Sequence, residues 1–358
     1  MMMPNANKLA KLLHPNRQQL VIDKIIDITD SMKIYQLKSA ENKELAYFEA
    51  GSYLPVFVEI DGNVIERPYS LCSSPKESEE GFYSIMIKPN NNGYVSNYIF
   101  ENWKEGMEVS VGGPHPAETY NPVRDSKNVI ALAGGSGVSP FISMAKAIVD
   151  GDIDCNLSVF YGVNKEQEIV DINLWKELEA KSNGKVKAVF VVLDTDCNEF
   201  EKGFITLDII KKYCDPKNAS FFISGPPLMV KAMKDFLEPL DIKRKYIRVS
   251  MNGDSGFNQF TETGDEYNLT VHMAGETFTM KAKSTETLLV SIEKSGLLPA
   301  VRCRSGICGF CRSMVISGDF EVADIEDGVR RADKRLGFIH PCCSYPRSDI
   351  ELVVQRNK

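Results

Sequence analysis

The sequence predicts a multidomain protein of 358 residues: an antiparallel β-barrel, an α/β domain with a parallel sheet, and a C-terminal α+β domain. Three observations predict this class. The chain is too long for one compact core. Near residue 124 the hydrophobic pattern changes from alternating residues to short apolar strands between helices. A polar, glycine-containing stretch, "SMNGDSGFNQFTETGDE", precedes a cysteine-rich C-terminal region and resembles a linker.

The first third of the chain has the period of β-strands. "LPVFVEIDGNVIERPYSL" alternates apolar and polar residues around an Asp-Gly pair, which predicts a hairpin. "FYSIMIK" and "GMEVSVGG" continue the pattern, so we expect an antiparallel sheet or barrel over residues 17–122.

Strands then alternate with helices. "KNVIALAG", "NLSVFYG" and "KVKAVFVVL" are apolar strands, and "PFISMAKAIVDG" and "VDINLWKELEAKS" are helices between them. This order predicts a parallel sheet with crossover helices over residues 123–249. A linker over 250–266 and a domain over 267–358 follow; the latter opens with a hairpin, "NLTVHMAGETFTMKA", and a helix, "ETLLVSIEKSGL".

Composition excludes several classes of function. A net charge of −7 and a pI near 5.4 argue against nucleic acid as the main partner. The first twenty residues lack the apolar run of a secretory signal, so none is expected. Glycines and a proline interrupt the longest uncharged stretch, "VIALAGGSGVSPFISMA", so no membrane span is expected either. The sequence therefore predicts a cytoplasmic protein, where cysteines bind metal more often than they form disulfides.

Five of the nine cysteines lie in the C-terminal region. Cys303, Cys308 and Cys311 are separated by four and then two residues, and thirty residues separate Cys311 from Cys342. This spacing is that of a plant-type 2Fe–2S cluster, in which one loop supplies three ligands. The alternatives are structural zinc or unligated thiols.

Residues 267–358, with "ETLLVSIEKSGLLPAVRCRSGICGFCR", resemble a plant-type ferredoxin domain, which implies a β-grasp fold. Cys342 and Cys343 are both candidates for the fourth ligand. In the family a proline commonly ends the short segment after this ligand. "CCSYP" fits that pattern if Cys342 is the ligand and Pro346 is the proline, which favours Cys342.

A second motif is "RPYS", Arg67, Pro68, Tyr69 and Ser70, on a predicted strand. A flavin needs a cation for its phosphate, a flat partner for its ring and a donor near N5, and these side chains offer one of each. In "NGYVSNYIF" we predict a helix whose first residues have free backbone N–H groups that could bind a phosphate. These residues are Gly93, Tyr94, Val95 and Ser96.

A third motif, "ALAGGSGVSPFISM", joins an apolar strand to a helix. We expect Ser139 at the N-cap and Pro140 at the first helical position, so that the helix N-terminus faces an anion. "FFISGPPLMVKAM" repeats the design around Ser224, Gly225 and Pro226. Gly134, Gly135 and Gly137 would let the backbone approach the bound anion closely, and Ser136 between them is also a predicted cofactor-binding residue.

The flavin and nucleotide motifs resemble those of the ferredoxin–NADP⁺ reductase superfamily, and the order flavin, nicotinamide, ferredoxin resembles ferredoxin-fused reductases of oxygenases. The resemblance implies a flavin-binding barrel, an NAD(P)-binding domain and a 2Fe–2S ferredoxin domain. It also implies hydride transfer from the nicotinamide beside Ser224 to flavin N5 beside Ser70, then single-electron transfer to the cluster. The family usually has Cys where this chain has Ser224.

The resemblance leaves two cofactor choices. The continuation "SLCSSP" favours FAD over FMN, although "GPHPAETY" departs from the usual G-P-x-G-x-F segment. Lys165 follows "FYGVN", where an arginine often binds the 2′-phosphate of NADPH, and this favours NADH.

The implied partner is a separate redox acceptor protein, such as an oxygenase component. Residues 268–358 carry a net charge of +2 and the remainder −9, which suggests a basic docking face for an acidic partner. Three alternatives are a solvated surface without a partner, an electron-transfer subunit or redox sensor with slow turnover, and a zinc-stabilised flavin diaphorase. The basic residues of the predicted face are Arg302, Arg304, Arg312, Arg330, Arg331, Lys334 and Arg335.

Overall fold

The structure is a computed structural model, and it describes residues 15, 17–41, 43–89, 93–251, 264–323 and 328–357. Contacts between Cα atoms divide the chain into two compact units. Most of the predicted linker, residues 252–263, lies outside the described residues. The first unit comprises Met1–Val56, Tyr69–Pro89 and Ser96–Met251, and the second comprises Phe57–Pro68, Asn90–Val95 and Asn252–Lys358.

The predicted antiparallel sheet is confirmed. Its strands are β1 (Gln18–Thr29), β2 (Met32–Ser39), β3 (Ser52–Ile60), β4 (Asn63–Ser70), β5 (Phe82–Ile87), β6 (Glu108–Val111) and β7 (His115–Pro116). They follow the order β4-β3-β6-β1-β2-β5, and β7 pairs with β3. Leu71, directly after β4, forms a bridge with Ile85 of β5, which brings the two edges together as in a barrel.

The predicted hairpin joins β3 to β4. Asp61 and Gly62 both have positive φ, 52° and 77°, as a two-residue type I′ turn requires. Two helices accompany the sheet, α1 (Pro75–Glu79) and α2 (Tyr94–Asn102). The turn chemistry thus fixes the register that places "RPYS" at the end of β4.

The predicted parallel sheet is also confirmed. Its strands are β8 (Asn128–Gly134), β9 (Asn156–Lys165), β10 (Val186–Asp194), β11 (Glu201–Lys202), β12 (Ala219–Gly225) and β13 (Ile247–Met251). They follow the order β11-β10-β9-β8-β12-β13. The associated helices are α3 (Ser139–Asp150), α4 (Ile172–Lys181), α5 (Leu207–Tyr213) and α6 (Pro227–Leu237).

This strand order reverses beside β8. The chain proceeds from β8 to β9 and β10 on one side, and β12 and β13 lie on the other. Ligands of such sheets bind outside the carboxyl ends of the strands at the reversal. Phe141 and Trp175, both at most 1% exposed, belong to the core beneath this edge.

The second unit contains a mixed sheet and a helix, the β-grasp arrangement. Strands follow the order β15-β14-β20-β16-β18, with β14 parallel to β20 and the other neighbours antiparallel. Its elements are β14 (Glu266–Met273), β15 (Glu276–Lys283), α7 (Leu288–Lys294), β16 (Ser313–Ser317), β17 (Phe320–Val322), α8 (Arg331–Arg335), β18 (Phe338–Ile339), β19 (Ser344–Pro346) and β20 (Ile350–Val353).

Helix α7 closes the core of this sheet. Leu288 and Ile292, one turn apart, are completely buried and share a cluster with Leu269 and Leu352 of the central strands. Thr287 caps the helix by accepting a hydrogen bond from the Val290 N–H. The cysteine loop follows this helix, so the packed sheet positions the thiols. None of the helices described has the length and apolar character that a membrane crossing needs.

Candidate functional site

The four predicted cluster thiols meet in two pairs. Cys311 Sγ lies 3.5 Å from Cys342 Sγ, and Cys303 and Cys308 are linked by a side-chain hydrogen bond. In the described residues no three His, Cys, Asp or Glu side chains surround a single point as they would around one metal ion. Two thiol pairs suit a cluster with two irons, so the donor set fits a 2Fe–2S group better than a mononuclear zinc.

The loop turns its backbone N–H groups toward these sulfurs. Ser305 N and Cys308 N donate to Cys303 Sγ at 3.5 and 3.4 Å, Gly306 N donates to Cys342 Sγ at 3.3 Å, and Phe310 N donates to Cys308 Sγ at 3.5 Å. The hydrogen bond from the Cys308 thiol, with those from Ser305 and the Cys308 N–H, lowers the pKa of Cys303 to about 5. The Cys308 thiol has a raised pKa because it donates to Cys303 and is buried, and the pKa values of Cys311 and Cys342 are raised as well. Among the four thiols, the loop therefore favours thiolate at Cys303.

The two adjacent cysteines have different surroundings. Cys342 Sγ faces Cys311 and the N–H of Gly306, whereas Cys343 Sγ donates to the His340 carbonyl at 3.4 Å. Both residues are fully buried. The geometry therefore supports Cys342 as the fourth ligand, and that assignment remains a prediction.

Sequence reasoning missed the buried His340. Its Nδ1 contacts the Gly306 carbonyl at 2.7 Å. A Cβ built on Gly309 would lie 3.4 Å from its Nε2. His340 thus contacts both glycine positions of the cysteine loop. Its position two residues before Cys342 could have drawn attention to it.

The "RPYS" segment occupies the last four positions of β4, as predicted. Arg67 is 8% exposed, whereas Pro68, Tyr69 and Ser70 are half-buried. Arg67 Nη1 donates to the Glu66 carbonyl at 2.9 Å and to Glu293 Oε2 at 3.1 Å. The contact with Glu293 was not predicted from the sequence.

The second predicted phosphate segment begins helix α2. The helix starts at Tyr94, directly after Gly93; Val95 is buried and Ser96 half-buried. Burial, foremost, and the charge of Asp61 raise the pKa of Tyr94, while the nearby Arg67 opposes the shift. Arg67 therefore lies close to the start of this helix within the second unit.

The first nucleotide segment differs from its prediction at two positions, Ser139 and Pro140. A 3₁₀ turn over Gly135–Val138 precedes α3, and the N-cap position falls on Val138, so the prediction of Ser139 as the N-cap was wrong. The Ser139 hydroxyl donates to the Ser136 carbonyl at 2.8 Å. Because the helix follows the 3₁₀ turn directly and begins at Ser139, Pro140 is its second residue and not, as predicted, its first.

The structure brings both nucleotide segments together at the reversal point of the parallel sheet. Ala133 of β8 pairs with Ser224 of β12, which is 3% exposed. A Cβ on Gly137 would lie 2.2 Å from the Ser224 carbonyl oxygen, and a Cβ on Gly134 would lie 2.3 Å from Met229 Sδ. These two glycines thus permit contact between the segments, whereas a Cβ on Gly135 would meet nothing within 4 Å.

Three side-chain contacts tie the segment after "RPYS" to helix α3 of the nucleotide domain. The Ser143 hydroxyl donates to the Ser73 carbonyl at 2.6 Å and the Ser74 hydroxyl donates to Asp150 at 2.9 Å. Lys146 Nζ lies 2.9 Å from Glu77 of helix α1. All these residues lie within the first unit. The contacts therefore fix the position of the segment after β4 relative to helix α3.

Family comparisons agree with this order of sites. Residues 19–120 match the oxidoreductase FAD-binding domain, residues 131–235 match the oxidoreductase NAD-binding domain, and residues 271–347 match the 2Fe-2S iron-sulfur cluster binding domain. The three matches follow one another as the sequence predicted.

Two curated relatives show the extent of the similarity. The glycine betaine monooxygenase reductase subunit of Pseudomonas aeruginosa is 25% identical over 333 residues, covering 87% of this chain and 88% of the relative. The NADH-cytochrome b5 reductase 2 of Candida albicans is 30% identical over 240 residues, covering 64% of this chain and 77% of the relative.

A solved structure extends the comparison to the fold. It is phthalate dioxygenase reductase, described as a modular structure for electron transfer from pyridine nucleotides to [2Fe-2S]. It superposes with a TM-score of 0.71 at 21% identity, and the match covers 95% of this chain and 98% of that one. The chain thus belongs to the ferredoxin–NADP⁺ reductase superfamily, as a ferredoxin-fused, NAD(P)H-dependent oxidoreductase with FAD and 2Fe–2S domains.

Proposed function

We propose that this protein is the reductase component of an oxygenase system, delivering electrons from NAD(P)H to a separate oxygenase protein. The exposure of one side of the cysteine loop carries this proposal. Cys308 is exposed, and the apolar side chains of Ile307 and Phe310 beside it are 40% and 37% exposed. An exposed apolar patch beside a redox group suits a transient protein partner.

We assign the residue roles as follows. Arg67 and the first residues of α2 bind the flavin phosphate, Tyr69 contacts the ring, and Ser70 supports N5. Ser224 contacts the nicotinamide at the sheet reversal, where the Gly225–Pro226 turn begins α6. The cluster ligands are Cys303, Cys308, Cys311 and Cys342. When bound at these residues, FAD would supply the conversion of a two-electron hydride donor into single electrons, which a one-electron cluster requires.

The predicted basic face needs one correction. Arg304 is 1% exposed and forms a buried ion pair, so it does not contribute to a surface. Arg312 and Arg330 both pair with Asp333, at 2.9 and 2.8 Å. The docking face that we propose therefore centres on Ile307 and Phe310 and carries the exposed basic residues Arg302, Arg331, Lys334 and Arg335.

Contacts along the chain keep this face together. Gly328 N donates to the Gly306 carbonyl at 2.7 Å, which places the segment before α8 against the cysteine loop. The Arg302 guanidinium lies 4.1 Å from the centre of the Phe310 ring. We infer an acidic acceptor, and we expect salt to weaken its association with this face.

We also infer a cytoplasmic location, because four thiols must remain reduced until they bind iron. Exclusive recovery of the protein in a membrane or exported fraction would contradict this location.

The first experiment is anaerobic purification, with an absorption spectrum, iron and sulfide assays, and then addition of NADH. Two irons per chain and bleaching of both flavin and cluster bands support the function. Flavin with zinc and no iron would leave a plain flavin reductase. Very slow turnover with every acceptor tested would indicate a sensor instead.

Cys308→Ser tests the electron path. We expect loss of the cluster signal and at least a tenfold loss of cytochrome c reduction, while NADH-dependent ferricyanide reduction remains, because ferricyanide can accept electrons from the flavin. Cys343→Ser is the matched control and keeps both activities. Full cytochrome c reduction by a cluster-free Cys308→Ser protein would show that the path is wrong.

A further inference from the structure

A buried carboxylate joins an arginine of the flavin strand to an arginine of the cysteine loop. Glu293 of α7 binds Arg304 through two hydrogen bonds, Nη1 to Oε1 and Nη2 to Oε2, both 2.7 Å. Arg67 Nη1 lies 3.1 Å from the same Oε2. The exposed fractions of the three side chains are 4% for Glu293, 1% for Arg304 and 10% for Arg67. All three residues lie in the second unit.

Each arginine belongs to a different cofactor segment. Arg67 is the cation proposed for the flavin phosphate, and Arg304 directly follows the proposed ligand Cys303. Arg304 has a positive φ of 55°, which is uncommon outside glycine, and its Nη1 also donates to the Glu66 carbonyl at 3.3 Å. The loop conformation beside Cys303 is therefore held by contacts to α7 and to the flavin strand.

The charges make Glu293 necessary to both segments. Glu293 is a carboxylate that both guanidiniums contact. Without it, each buried guanidinium would lose an ionic partner while two like charges stayed close together, which is costly in a buried site. The arginines would then move apart, so Arg67 would lose its orientation toward the phosphate and Arg304 would release the cysteine loop.

We propose that Glu293 is a positioning residue that couples flavin binding to cluster retention. This inference rests on the residue roles given under the proposed function. Coupling between two binding sites is reciprocal: if bound flavin stabilises the loop that holds the cluster, the cluster strengthens flavin binding by the same factor.

The test measures cluster loss in the full-length protein. The decay of the cluster absorption band after addition of an iron chelator is followed with saturating FAD and with FAD removed. In the wild type we expect FAD to slow the loss about fivefold or more, the lower end of typical coupling. In Glu293→Gln, FAD should change the rate less than twofold. The presence of the cluster should also lower the dissociation constant of FAD in the wild type, and it should change that constant less than twofold in Glu293→Gln.

Two further variants make the result specific. Glu286→Gln, just ahead of the same helix, removes a carboxylate that pairs with Lys294 at 2.6 Å, and it should retain the wild-type response to FAD. Glu293→Asp keeps the charge on a shorter side chain and should give an intermediate response; it replaces Glu293→Gln if that variant fails to assemble a cluster.

Two results would overturn the inference: cluster loss in the wild type that FAD does not affect, or a Glu293 variant with the wild-type response. The proposed function would survive either result if NADH still bleaches both chromophores of the wild type. It would fail separately if the wild type bound no flavin or no iron.

Discussion

Two buried glutamates, Glu293 and Glu118, have opposite environments. Glu293 lies between two guanidiniums, whereas Glu118 Oε2 has no hydrogen-bond partner within the described part of the chain. Burial raises the pKa of Glu118 to about 7, and a hydrogen bond from Ser250 and the charge of Arg248 only partly oppose this. Arg248 itself pairs with Asp125. Burial therefore favours the neutral form of Glu118.

Glu118→Gln tests this environment. A carboxyl whose pKa is about 7 in the folded protein and about 4.3 unfolded binds more protons when folded between those values. The free energy of unfolding should therefore fall as pH rises from 4.3 to 7, by up to about 3 kcal/mol from this group. Glu118→Gln should lose that dependence and be more stable than the wild type at pH 8.

Urea unfolding at pH 5 to 8, followed by tryptophan fluorescence, measures the effect. Both tryptophans, Trp103 and Trp175, are buried in the first unit, which also contains Glu118. Glu199→Gln, at an exposed position, is the control and should match the wild type. Parallel pH curves for wild type and Glu118→Gln would contradict the prediction.

Local sequence patterns predicted the environment of some site residues, such as the cysteines, but not of others, such as Arg304 and Glu118. The cysteine spacing indicated thiols that the structure brings together, because ligand spacing is set within one loop. Arg304 was predicted on the surface, but it is buried by Glu293 and Glu66, and the latter is 238 residues away in sequence. Glu118 stands where the G-P-x-G-x-F pattern has phenylalanine, and only packing shows that its carboxyl is buried.

Hydrophobic periodicity and the positions of glycine and proline predicted four strands of the nucleotide domain, β8, β9, β10 and β12, and three of its helices, α3, α4 and α6, but not β11, α5 or β13. Apolar runs gave the strands, and glycine and proline marked where helices begin. The contact between the Gly137 and Ser224 segments depends on β8 and β12 being neighbours. Sequence order does not state this adjacency, since β9, β10 and β11 intervene along the chain.

Gly137→Ala tests the contact between these elements. The new Cβ would lie 2.2 Å from the Ser224 carbonyl oxygen, which is backbone and cannot rotate away. We expect the segments to separate, with at least a tenfold rise in the dissociation constant for NADH and a lower thermal midpoint. Fluorescence titration and thermal unfolding measure the two effects.

Gly184→Ala provides the control for this substitution. Gly184 has a φ of 79° and open space around its Cβ position, so alanine there adds backbone strain of about 1 kcal/mol without a clash. Affinity for NADH should remain unchanged in this variant. If Gly137→Ala bound NADH with wild-type affinity, close contact between the Gly137 and Ser224 segments would not be required for nucleotide binding, and the prediction would be wrong.

At the scale of the whole molecule, charge is divided unequally along the chain. The sequence segment that contains the cluster is basic, whereas the rest is strongly acidic. Such a division is an argument about association and not about fold.

Salt dependence tests the docking face. Reduction of an acidic haem protein, cytochrome b5, should slow at least threefold between low ionic strength and 0.3 M salt, because exposed charges are screened. Arg331→Ala with Arg335→Ala should lower the low-salt rate and reduce the salt effect. Lys283→Ala is the control, because Lys283 lies on β15, at the edge of the sheet opposite β18, the strand that follows α8. A rate that is indifferent to salt would contradict electrostatic docking.

The exposure of Cys308 has a further consequence. A cluster ligand that is exposed to a protein partner is also exposed to dissolved dioxygen, so the reduced enzyme should generate superoxide when its partner is absent. A docked partner would cover Ile307 and Phe310 and block that side reaction. The surface around Ile307 and Phe310 would then determine both the rate of electron transfer to the partner and the fraction of electrons lost to dioxygen.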